Sequence, residues 1–289
     1  APDGDAPPSL GVVRTKQAPR LDAELDDPVW GFAKSTAAFV QPRSGDKASS
    51  NARAKMLWDD RHLYVAVEVA DQELHASHIE HDQRLWEQDC VDLMFDPNGD
   101  GKHYFEIQVS PRGVVFDTRY DSRREPKPTG HLGWSSDIRA AVRAEGQLDD
   151  ELADHGYRLE LAIPWYAFVT EDGRAGRPPR VGSSWRANLY VLDRRSEGQL
   201  AAAWSAPRVS DFHTPERFGS LRFLEAPSAM KARNEPVTIS PQRAQQLPKN
   251  GLTAHRKLDR AAIRQFRGLP GTSPVEPKRT KLESDEPPH

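Results

Sequence analysis

The sequence predicts an all-β fold, a two-sheet antiparallel β-sandwich of jelly-roll-like form with an extended, Pro-rich C-terminal arm. Three observations carry that expectation. Short apolar runs with alternating pattern recur through the first 225 residues, as in Val91, Leu93 and Phe95 against Asp92 and Met94. Turn signals separate the runs, among them Asp96-Pro97-Asn98-Gly99-Asp100-Gly101 and Ser110-Pro111-Arg112-Gly113. From Ala226 on, nine prolines break the chain and the alternation ceases.

In chain order, residues 1–10 (beginning Ala-Pro-Asp-Gly-Asp-Ala-Pro-Pro) read as a flexible spacer, 11–225 as the β domain and 226–289 as the arm. Strands are expected near 53–58, 62–70, 89–96, 102–110, 113–119, 137–144, 155–163, 185–193 and 218–224. Pro164 sets up a helical turn ending near Val169, since proline suits the first position of a helix. Arg119–Gly133 and Arg174–Arg180 are polar loops, the kind of segment that carries binding groups on a rigid scaffold. In the arm, Leu258, Ala262, Ile263 and Phe266 share one helical face over 255–267, which makes a short docking helix or a frayed one.

Composition narrows the function. The chain has a net charge of −3, and the arm, with 12 Lys+Arg and 6 Asp+Glu, carries +6, so residues 1–225 carry −9. An acidic domain argues against nucleic-acid binding, and the basic arm lacks interleaved aromatics. The arm instead suggests a protein partner. No apolar run is long enough to span a bilayer. The single cysteine, Cys90, excludes an internal disulfide and sits within a strand, as a small buried hydrophobe would. There is no Gly-x-Ser-x-Gly, His-Glu-x-x-His or phosphate-binding loop, and no Cys-x-x-Cys-His for covalent haem. Catalysis therefore has little support.

The segment Leu85-Trp86-Glu87-Gln88-Asp89-Cys90-Val91-Asp92 puts a tryptophan and several acids at the start of a strand. An aromatic face covers the apolar C–H surface of a sugar while carboxylates accept from its hydroxyls. Trp86 could equally plug the rim of a core.

Other segments fall in a telling order around it: Leu21-Asp22-Ala23-Glu24-Leu25-Asp26-Asp27-Pro28-Val29-Trp30, Ala54 to Val67 followed by Val69-Ala70-Asp71, Gly156 to Trp165, and Pro215-Glu216-Arg217-Phe218-Gly219-Ser220-Leu221. Together they resemble the family 9 carbohydrate-binding modules and the wider group of family 9-like domains, over roughly residues 10 to 225. The resemblance implies an exported, periplasmic or cell-surface module that binds a glycan and does not cleave it. The N-terminal composition suits the mature end of such a protein, with a lipid anchor upstream of Ala1 compatible with it. By that likeness Trp86 and Phe212 flank a terminal sugar, and Asp71, Asp92 and Glu106 orient its hydroxyls. Phe212 stands where the family has a tryptophan, and Glu106 where a basic residue is expected. These departures argue against the family's glucose or cellobiose specificity and leave room for another glycan, a basic or amino sugar in particular.

Three further groups have the right chemistry for ligands. Asp96, Asn98 and Asp100 resemble the first half of a calcium loop, but position twelve is Ile107 where a glutamate is needed, so an ordinary hairpin turn is favoured; the family resemblance allows structural calcium at other acidic loops. His75, His78 and His81 recur at a spacing of three, which suits zinc or copper if they share a face and a solvated polar loop if they do not. Met94 shares a side with Asp92 and is expected to pack; haem ligation by it is the weaker alternative. The resemblance and the residues together point to non-catalytic glycan binding, in the setting of polysaccharide catabolism. The alternatives are an accessory subunit of an extracytoplasmic or envelope complex docked through 226–289, and a haem-binding redox subunit.

Overall fold

The computed structural model describes residues 6–169 and 176–228. Nearly all of the expected arm, including the 255–267 helix, lies outside the described residues. The strands are β1 (Ser9–Arg14), β2 (Asn51–Trp58), β3 (His62–Ala70), β4 (Cys90–Asp96), β5 (Tyr104–Val109), β6 (Val115–Tyr120), β7 (Arg139–Glu145), β8 (Gly156–Pro164), β9 (Ser184–Arg195), β10 (Gly198–Ala203) and β11 (Gly219–Leu224). The helical turn expected after Pro164 is a 3-10 turn at Trp165–Phe168.

One leaf runs β6-β5-β4-β9-β11, with β10 also on β9, and the other β2-β3-β8-β7. Within each leaf the pairings are antiparallel. β1 joins the leaves into one curled sheet and is parallel to both neighbours, to β11 over Ser9–Val13 and to β2 at Val13 and Arg14. A strand that passes between sheets at an edge is a known way to close a sandwich.

The core lies between the leaves. Val91, Leu93 and Phe95 of β4 and Leu189 and Val191 of β9 meet Val65 and Val67 of β3 and Leu159, Leu161 and Ile163 of β8. The alternating residues of the same strands point outward, yet most are covered. On the second leaf the segment before β2 does this, packing Val29 and Trp30 on Leu57, Tyr64 and Ala162. Glu160, buried on that face, accepts from Trp30 Nε1 at 2.7 Å and from the backbone N–H groups of Ala23 at 2.8 Å and Asp22 at 3.0 Å. On the first leaf, loops cover Cys90, Asp92 and Met94, and a cavity lies there.

Two strands differ from expectation. β1 starts at Ser9, where a spacer to residue 10 was expected; Leu10 is in the core, so the spacer is shorter. β10 ends in Ala201-Ala202-Ala203, which has little intrinsic strand preference. It exists because the turn at Ser196 and Glu197 folds it back onto β9, from Gly198 opposite Arg195 to Ala203 opposite Tyr190.

Candidate functional site

The outer face of β9, β4, β5 and β6 is a polar floor set by register. Asp92 pairs with Tyr190 on one side and Gln108 on the other, and Gln108 with Phe116. The next row is Asn188, Met94, Glu106 and Thr118. Above this floor is a cavity of about 280 Å³ whose wall includes Trp86, Tyr120, Arg124, Phe212 and His213.

Trp86 sits in the 3-10 turn Leu85–Glu87, half-buried, with its ring edge-on to Phe116 at 5.1 Å. It therefore combines the two roles open to it, a packing contact and a cavity wall. Phe212 stacks on Tyr190 at 4.4 Å with the rings 7° from parallel, and the Tyr190 hydroxyl donates to the Phe212 carbonyl at 2.8 Å. Four of the five residues expected to contact a sugar (Trp86, Asp92, Glu106 and Phe212) thus line one cavity. Sequence reasoning missed Gln108, Tyr120, Arg124 and His213. The only signal for Arg124 was its place in the polar loop after β6.

The acids of the floor are nearly dry. Asp92 is 2% exposed and Glu106 4%. Burial, then repulsion by Glu106, pushes the Asp92 carboxyl well above the usual range. Burial raises Glu106 too, against the opposing hydrogen bonds from Gln108 and Tyr120. Gln108 Nε2 donates to Glu106 Oε1 at 2.6 Å. His213 is held neutral: burial, then the nearby Arg124, lowers it to about 3. Its Nδ1 lies 2.8 Å from the Tyr104 hydroxyl, and that hydroxyl accepts from the Arg124 backbone N–H at 3.0 Å. The Arg124 guanidinium is tied to Asp211, with Nε at 2.8 Å from Oδ1.

Asp71 is elsewhere, which corrects its expected place in the sugar site. It follows β3 in the other leaf and is buried beside Asp89 and Asp193. Arg195 compensates this cluster, reaching Asp71 at 3.1 Å and Asp193 at 2.6 Å. Asp89 accepts the N–H groups of His75 and Arg194, each at 2.6 Å. Burial and then neighbouring acids push Asp71 up to about 6 and Asp89 up to about 8. The folded chain thus keeps protons that the unfolded chain releases near pH ~4. Their contribution to stability is full below pH ~4 and declines as pH rises through about 6 and then about 8. Asp71→Asn, which keeps the acceptor Oδ1 and removes a like charge, should raise the melting temperature at pH ~8 and leave it nearly unchanged at pH ~4.

The Asp96–Gly101 loop is laced by its own hydrogen bonds. Asp96 accepts from Gly99 and Gly101, Asp100 from Lys102 and Asn98, and the Asn98 side-chain oxygen from Asp100. These bonds close the hairpin turn. The three histidines do not form one ligand group. His81 instead lies 3.0 Å from Asp82 and 4.0 Å from Asp117, whereas His75 and His78 line another groove with Asp149 and Arg195. Met94 packs with Tyr190, Ala203 and Phe218.

Fold and cavity together define a β-sandwich of the carbohydrate-binding-module class, with an aromatic-walled, acid-floored recess on one face. The chain belongs to the carbohydrate family 9 binding domain-like family, whose profile matches residues 21–226. The matched region is a binding module, not a catalytic domain. It is 26% identical over 214 residues to the exoglucanase XynX of Acetivibrio thermocellus, covering 73% of this chain and 17% of that protein. It is 24% identical over 209 residues to endo-1,4-beta-xylanase A of Thermotoga maritima, covering 72% of this chain and 17% of that one. The chain thus spans about a sixth of these relatives' length. Its fold matches a family 9 carbohydrate-binding module of Caldicellulosiruptor kristjanssonii solved with cellotriose, at a TM-score of 0.54 and 19% identity, over 76% of this chain and 95% of that one. Among the described residues no helix is long and apolar enough to cross a membrane.

Proposed function

We propose that this chain binds a glycan in the cavity between Trp86 and Phe212 and leaves its bonds intact. The observation that carries the reading is Asp92, a buried carboxyl whose Oδ1 has no hydrogen-bond partner although it lines an open recess. Buried polar atoms are rarely left unpaired, so an unpaired acceptor facing a cavity calls for a donor from a ligand. Sugars bring dense hydroxyl donors together with apolar C–H faces that suit the flanking rings. The relatives named above are polysaccharide-degrading enzymes, so the same role, holding a catalyst or a cell near its polymer, is proposed here. An extracytoplasmic location is proposed with that role.

Titration calorimetry of the full chain against soluble oligosaccharides of cellulose, xylan and amino-sugar polymers tests the proposal. The expected result is one site of micromolar to millimolar affinity, equivalent to ~4–8 kcal/mol. Absence of heat with every sugar class would overturn it. A second reading, an accessory subunit docked through 226–289, draws on the +6 charge of that segment against −9 for the rest. Removing 229–289 should leave glycan affinity unchanged if the cavity is the functional site, and should release a protein partner if docking is the function.

A further inference from the structure

We infer that the ligand of this cavity carries an ammonium group, an amino sugar, held between Asp92 and Glu106; the inference rests on the glycan-binding reading above. The floor presents acceptors in excess. Asp92 Oδ1 and Glu106 Oε2 are both buried without a hydrogen-bond partner. The two acids lie diagonally across the β4–β5 pair, since Asp92 is opposite Gln108 and Met94 is opposite Glu106. The nearest ring nitrogen to Glu106 Oε2 is His213 Nε2, at 3.8 Å, beyond hydrogen-bond distance.

Arg124 in the cavity wall eases both acids through space but forms its hydrogen bonds elsewhere. Arg124 is paired with Asp211, and Arg123 with Asp211 and with Glu216. His213 is neutral. Tyr104, Tyr120 and Tyr190 contribute phenols that burial keeps protonated. Asp92 and Glu106 therefore face the space with Arg124 acting on both only through space, its guanidinium being bonded to Asp211. A neutral sugar could give each orphan oxygen one hydroxyl hydrogen but would bring no charge to let both acids ionise in so dry a site. An ammonium donates three hydrogens from one centre and supplies the missing positive charge, and charge-assisted bonds of this kind are the stronger ones. Trp86 at the wall adds a π face of the kind that attracts a cation. Ligand charge would also draw both acids toward their ionised form, so binding should couple to proton release.

The test compares the full chain's affinity for glucosamine and its β-1,4-linked dimer, for glucose and cellobiose, and for N-acetylglucosamine, at a pH where the free amine is protonated. The expected result is at least tenfold tighter binding of the amino sugars, an advantage that N-acetylation removes. Asp92→Asn and Glu106→Gln should bring the amino-to-neutral ratio towards one while the thermal melt stays cooperative. The calorimetric heat for the amino sugar should vary with buffer ionisation enthalpy, reporting the released proton. Neutral and amino sugars binding equally, or the neutral more tightly, would overturn the inference and leave glycan binding standing. No binding by any sugar would overturn both. The N-acetyl comparison uses the unaltered chain, so it decides even if a variant fails to fold.

Discussion

Glu160→Ala should destabilise the fold by about 3–5 kcal/mol, the loss expected when several buried donors are left unpaired. Its two oxygens accept from Trp30 Nε1 and from the N–H groups of Asp22 and Ala23, and the residue is 1% exposed. Alanine would orphan all of these donors and leave a void beneath Trp30. It would also free the segment before β2 from the outer face of β8, exposing Val29, Leu57 and Ala162. Domains of this size have a total stability of only about 5–15 kcal/mol, so the variant should be partly unfolded under mild conditions. Glu160→Gln retains one acceptor but turns an amide donor toward another donor, and should cost less. Chemical denaturation of both variants checks the order. An alanine variant within ~0.5 kcal/mol of the parent would mean that the N-terminal segment is not held through this carboxyl.

Trp86→Ala should weaken glycan binding about thirtyfold, or ~2 kcal/mol, the usual scale for a tryptophan at the centre of a binding site. Fold stability should fall far less than with Glu160→Ala. Trp86 is only half-buried; its ring meets Phe116 edge-on and packs on the small cluster of Leu85, Cys90 and Leu192. It also lines the cavity. Phe212→Trp, with more stacking area and an N–H donor, should tighten binding by a factor of several. Calorimetry gives the affinities and a thermal melt gives the stability. If Trp86→Ala unfolds the chain, Trp86 is a core residue and the cavity wall must be assigned afresh.

Much of the site was legible because it rests on strand alternation. Once β4 was read as a strand, Asp92 and Met94 had to share the side opposite Val91, Leu93 and Phe95. Glu106 and Phe212 came from the family resemblance, and the register of β5 on β4 then set Glu106 beside Met94. Tyr120, Arg124 and His213 were not legible. They come from the end of an edge strand and from two loops, and nothing in a loop's composition tells which residue will turn inward. Asp71 was misplaced for a related reason. It is near the Trp86 segment in sequence, but β3 belongs to the other leaf, so its end meets Asp89 and Asp193 and not the cavity floor.

By itself the sequence determined the β class of this protein, its division into an acidic domain and a basic Pro-rich segment, the faces of most strands and several of the aromatic and acidic residues that line the cavity. Those properties are local: they follow from side-chain alternation, turn chemistry and charge along the chain. Only the tertiary structure decided that β1 crosses between the leaves in parallel pairing, that β10 exists, that Arg195 compensates the Asp71 cluster, and that Asp92 and Glu106 face the same recess, each with an unpaired oxygen. Each of these depends on groups far apart in sequence competing for the same buried space and the same hydrogen bonds, and that competition is settled only when the sheet has curled closed.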